Sequence, residues 1–125
     1  MKFTLESPLV AAVRSVSDTE IVIGDQKWSE SVALTTNGVL EDWTPATLDT
    51  LGIDDLAELL KLEPELIVVG TGSKQLLPNR ELMFAMARKG VGLEVMDTPA
   101  AARTFNVLIS EGRSVAAILY VAANL

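Results

Sequence analysis

The sequence predicts a single-domain α/β fold in three layers. A central mixed, mostly parallel sheet carries helices on one face and a small antiparallel β layer on the other. Three observations predict it. From Leu66 to Val121, short apolar runs alternate with capped helical patterns in the order β-α-β-α-β, the rhythm of right-handed crossovers. Before that, short β-like runs are separated by turn signals at Ser17-Asp18-Thr19, Gly24-Asp25-Gln26 and Asn37-Gly38. No helical pattern is left to cover the second face of the sheet, so the N-terminal strands take that place. No linker or internal repeat divides residues 1–125.

In chain order, Leu9 to Val16, Glu20 to Ile23 and Lys27 to Leu34 read as strands of one antiparallel meander. Thr44-Pro45 has the form of a helix start, with threonine as cap and proline at the first helical position. Asp54 to Leu60 is a short amphipathic helix with acids in its first turn, stopped by Pro64. Leu66-Ile67-Val68-Val69 is continuously apolar, as a strand covered on both faces would be. Pro78 to Lys89 is a helix closed by Gly90, Val91 to Met96 a strand, and Asp97-Thr98-Pro99 starts a helix running to Glu111. Val115 to Val121 is the last strand.

The last helix is one-sided, with Ala101, Ala102, Phe105, Leu108 and Ile109 on one face. Asn106 stands at its shoulder, placed to bond a neighbouring loop in preference to a ligand. The preceding helix is apolar almost all round, and Phe84 falls among Arg80, Glu81 and Arg88 on the outer face. Either a loop covers Phe84 or a partner does, and for the second case Phe84 and Arg88 are the candidate partner contact. Trp28 and Trp43 read as half-buried covers whose ring N–H groups need partners.

Composition narrows the chemistry. A chain of 125 residues with 49% hydrophobic and 22% charged residues is ordinary for one globular domain. A formal charge of −7 repels phosphate backbones and anionic membranes, so neither nucleic-acid binding nor membrane insertion is expected. The chain has no histidine and no cysteine, which removes the Ser-His-Asp triad, the thiolate nucleophile, disulfides and the ordinary zinc site. Asp54, Asp55 and Glu58 fit a dipole-matched helix start better than a magnesium site. No cofactor is expected. MKFTLESPLV lacks the apolar core of a signal peptide, so the expected compartment is the cytoplasm.

The stretch VVGTG, Val68 to Gly72, raises the question of a phosphate cradle. Gly70 and Gly72 fit the first two glycines of a dinucleotide fingerprint, but Gln75 occupies the third position. Gly72-Ser73-Lys74 has the wrong order for a P-loop. A structural turn remains, beside one alternative: a non-standard anion pocket beyond the carboxyl ends of the strands. Its candidate residues are Gly70, Thr71, Gly72, Ser73, Lys74, Arg80, Asp97 and Thr98, with two helix N-termini supplying N–H groups.

Ser31-Val32, Trp43, Pro64-Glu65 leading into LIVVGTG, and GVGLEVMDTPAAARTFNVLISEGRSVAAILY from Gly90 to Tyr120 carry a resemblance. The chain resembles a small α/β family of unknown function. That family includes the mitochondrial respiratory complex I (NADH dehydrogenase) assembly factor three and an adipogenesis-associated human protein. The likeness runs from about Leu9 to Val121 and is that of a bacterial-type member. It implies one compact β/β/α domain, no established enzymatic activity and no cofactor. Two functions are thus expected to compete. One is a non-catalytic binding or assembly module with a protein partner or as a homo-oligomer. The other is a small enzyme or sensor with an anionic ligand at the GTG turn and Asp97 as its base.

Overall fold

A computed structural model of the protein describes residues 12–44, 46–122 and 125. The first residues of the Leu9–Val16 run and Pro45 of the expected Thr44-Pro45 helix start lie outside the described residues; Thr44, Ala46 and Thr47 are not helical, and the first helical turn begins at Leu48. Strands β1 (Val13–Val16), β2 (Ile21–Ile23) and β3 (Gln26–Trp28) form an antiparallel sheet in sequential order. The strands β4 (Val32–Thr35), β5 (Gly38–Val39), β6 (Leu66–Thr71), β7 (Gly92–Met96) and β8 (Val115–Tyr120) form the main sheet. Its order is β5-β4-β8-β6-β7, with β8, β6 and β7 mutually parallel and β4 antiparallel to β8. The helices are α1 (Ala57–Leu60), α2 (Arg80–Lys89) and α3 (Thr98–Ser110), with 3-10 turns at Leu48–Thr50 and Ile53–Leu56.

The stretch from Lys27 to Leu34, expected as one strand of a single meander, is split between the two sheets. Chain direction changes between Trp28 and Val32, so that β3 closes the small sheet and β4 joins β8. Ser31 marks the transfer: it is buried, and its hydroxyl accepts from Val121 N–H at 3.0 Å. Among the described residues the small β layer is thus three strands, and the hairpin β4–β5 extends the main sheet.

The three-layer α/β architecture with a mixed central sheet is as expected, but the two long helices do not share a face. Val68, Val115, Ala117 and Leu119 pack with Ala101, Phe105 and Ile109 of α3 and with Val13, Ile21 and Ile23 of the small sheet. Ile67, Val69, Ala116, Ile118 and Tyr120 pack with Leu82 and Met86 of α2 and with Leu48, Leu51, Leu56 and Leu59. The cause is topological. The chain steps from β6 outward to β7, then back across β6 to β8. Two right-handed crossovers in opposite directions lie on opposite faces. The small sheet therefore shares its face with α3, and α2 shares the other with α1 and the 3-10 turns.

This arrangement explains the continuous apolar runs. Both faces of β6 and β8 are covered, so every residue of β8 is buried and alternate side chains serve separate cores. Helix α2 is capped by Asn79, whose side chain accepts from Leu82 N–H at 2.9 Å, and ends at Gly90. No helix among the described residues is long and apolar enough to cross a membrane.

Candidate functional site

The GTG turn joins β6 to the loop before α2, and two threonines organise it. Gly70 sits where α3 meets the sheet. A Cβ there would lie 2.8 Å from Thr98 Cα and 3.0 Å from Ala101 Cβ, so the missing side chain sets how closely helix and strand approach. Thr71 is fully buried, and its hydroxyl donates to Lys74 O at 2.7 Å while accepting from Leu76 N–H at 3.0 Å. Met96 O lies 3.2 Å from the same hydroxyl, which ties the turn to the end of β7. Gly72 adopts φ +90, a left-handed conformation that glycine takes without strain.

Gly72 and Thr98 are linked twice. Thr98 N–H donates to Gly72 O at 2.8 Å, and Gly72 N–H donates to Thr98 Oγ1 at 2.8 Å. The Thr98 hydroxyl in turn donates to Tyr120 O at 2.7 Å, so one buried side chain joins β6, α3 and β8. Asp97 caps α3, its carboxylate accepting from Ala100 N–H at 2.8 Å.

These bonds bear on the anion pocket. In the first turn of α3, Thr98 N–H goes to Gly72 O, Pro99 has none, Ala100 N–H goes to the Asp97 carboxylate and Ala101 N–H to Asp97 O. That helix start offers no free donor to a ligand. The structure does bring Gly72, Ser73 and Thr98 to one cleft of about 200 Å3, with Pro99 and, across it, Ser17 and Asp18. Lys74 and Arg80 are exposed and are not among the cleft's described lining; Gly70 and Thr71 are buried in the sheet. The Asp18 carboxylate adds negative charge where an anion would need the opposite. Ser17 and Asp18 were legible only as a turn, because nothing local to them signals the approach of a strand end fifty residues on in sequence.

Phe84 and Arg88 both lie exposed on α2, as expected of an outer face; Phe84 is 60% exposed. Trp43 Nε1 donates to Asp55 O at 3.0 Å, while Trp28 packs against the small-sheet core. Among the described residues, no group of three acidic side chains converges in a way that would hold a metal ion. Asp55 instead caps its own turn, accepting from Gly52 N–H at 2.8 Å.

Comparisons with known proteins agree with this architecture. A bovine NADH dehydrogenase [ubiquinone] 1 alpha subcomplex assembly factor 3 is 33% identical over 116 residues, covering 91% of this chain and 62% of that protein. A 13 kDa major membrane protein of Francisella tularensis is 39% identical over 61 residues, 49% of this chain and 50% of its own. The chain thus spans between half and two-thirds of the length of these relatives. An NMR structure of a Xanthomonas campestris protein superposes with a TM-score of 0.83 at 34% identity, covering 98% of this chain and 93% of that one. Residues 13–120 match the family model described as protein of unknown function (DUF498/DUF598), and the chain belongs to that family.

Proposed function

We propose that this protein is a non-catalytic binding module that acts through a protein partner, in the manner that the name of the bovine relative implies for an assembly factor. The observation that carries the reading is the surface of α2 and the segment before it. Leu76, Leu77, Met83 and Phe84 are all exposed, with Leu77 at 73%, and Lys74, Arg80 and Arg88 stand among them. Large apolar side chains gathered in one stretch, with three cations and the single acid Glu81 exposed beside them, suit a contact surface, whereas scattered ones would need no explanation. The partner that fits is a protein presenting an apolar patch with acidic neighbours. The residues of the candidate anion pocket divide on this reading. Gly70, Thr71, Gly72 and Thr98 shape the turn, and Lys74 and Arg80 serve the contact surface. The working compartment on this reading is the cytoplasm.

The test is site-specific photo-crosslinking from position 84 in cells, with position 107, an exposed valine on α3, as comparison. The expected result is a discrete adduct from position 84 with one identified protein, lost when Arg80 and Arg88 are changed to glutamate. Equal adduct patterns from both positions, or adducts that survive the charge reversals, would refute the reading.

A further inference from the structure

A second concavity lies away from α2, at the opposite edge of the main sheet. A groove of about 790 Å3 runs between the β2–β3 hairpin and the segment from Asn37 to Trp43. Two sheet edges border it. Among the described residues, β3 is the edge of the small sheet and β5 the edge of the main one. Leu40 N–H donates to Ala33 O at 2.8 Å, so in this antiparallel ladder the preceding Val39 turns its N–H and C=O away from β4, towards the open side. An edge of this kind is a template for an extended chain.

The lining chemistry selects the occupant. Trp28 and Trp43 both line the groove, and Asp25, Glu30, Glu41 and Asp42 stand on it, with no lysine or arginine among the described lining residues. Glu30, Glu41 and Asp42 form no ion pair with the described residues, and Asp25 meets only the exposed Arg14, at 3.8 Å. Trp28 Nε1 has no hydrogen-bond partner among the described residues, which leaves it a donor for a backbone carbonyl. Indole faces beside carboxylates suit lysine and arginine side chains, by cation–π contact and charge together. Side chains of an extended chain alternate, so one set of residues would meet the indoles and acids while the backbone meets the sheet edge.

We propose that this groove binds a basic, extended segment of a partner protein. The inference shares with the proposed function the idea of a protein partner, but it uses a different surface. Crosslinking at position 84 and binding in the groove therefore stand or fall separately.

The chain has two tryptophans and both line the groove, so tryptophan emission, excited where Tyr120 does not absorb, reports from this site. The probe is a capped octapeptide alternating lysine and valine, with a glutamate–valine peptide as counterpart. It is titrated into wild type, into a groove variant (E30Q, E41Q, D42N) and into a control that removes three acids elsewhere (D54N, E81Q, E94Q). Asparagine suits position 42, where the backbone is left-handed at φ 61. All six substitutions fall on exposed side chains. The expected result is a saturable change in emission with the basic peptide. Affinity should be lower by about tenfold or more in the groove variant and near wild type in the control. Equal weakening in both variants, comparable binding of the acidic peptide, no change in emission, or self-association that fills the groove would each overturn the proposal.

Discussion

Asn106 and Val13 exchange two hydrogen bonds. The amide of Asn106 donates to Val13 O at 2.8 Å, and Val13 N–H donates to Asn106 Oδ1 at 2.8 Å. A side chain on α3 thereby imitates a neighbouring strand and fastens β1 to the helix. Apolar contacts from Val13, Ile21 and Ile23 reinforce the same joint.

Replacing Asn106 with leucine would leave both backbone groups of Val13 without partners in a half-buried setting. The expected cost is about 1–3 kcal/mol, read from urea unfolding. Hydrogen exchange should locate the loss, with faster exchange in β1 to β3 and little change in β6 and β8. Uniform acceleration across both sheets would show that the clamp is not specific to the small one.

Gly70→Ala tests the contact between β6 and α3. The added methyl would meet Thr98 Cα, a backbone atom that cannot swing aside, at 2.8 Å. The expected destabilisation is about 1–3 kcal/mol, the usual range for overpacking a close contact. A melting temperature equal to wild type would mean that the helix slides freely on the sheet.

Thr98→Val and Thr98→Ser separate the hydroxyl from the methyl. Valine removes the donor to Tyr120 O and the acceptor for Gly72 N–H, both buried, at an expected cost of about 2–4 kcal/mol. Serine keeps both bonds and should lose less than half as much. If the two variants were equally destabilised, packing rather than the hydroxyl would explain why a threonine stands there.

Much of this fold was legible. The strands β6, β7 and β8 and the two long helices lie within a residue or two of where apolar runs, caps and glycines put them, because those signals are local. The transfer of the chain between sheets near Ser31 was not, since a strand pattern does not say which neighbour it will pair with. The placement of α2 and α3 on opposite faces follows from strand order, which β-α-β-α-β alone leaves open. At the GTG turn, the glycines signalled close approach. The deciding bonds from Thr98 to Gly72 and Tyr120 span more than twenty residues and carry no sequence signature. The groove is less legible still, because it exists only where two hairpin edges come to face each other.

Tyr120 gives the chain a defined alkaline limit. Its hydroxyl donates to Ala46 O at 2.6 Å, and its ring is fully buried among Leu48, Leu51 and Leu56. Burial first, and the negative charge of Asp55 second, push its ionisation above the ordinary value of 10.0. The folded state therefore holds its proton more tightly than the unfolded chain does. The resulting stabilisation is complete below about pH 10 and is lost as pH rises beyond it, where the unfolded chain ionises first. The chain has one tyrosine, so tyrosinate absorbance reports this group alone. That absorbance is expected to appear together with loss of the native circular dichroism, not before it. Tyr120→Phe should cost about 0.5–1.5 kcal/mol at neutral pH and flatten the fall in stability above pH 10. Tyrosinate forming near pH 10 in a protein still folded would show that the hydroxyl is open to water and that the bond to Ala46 does not persist in solution.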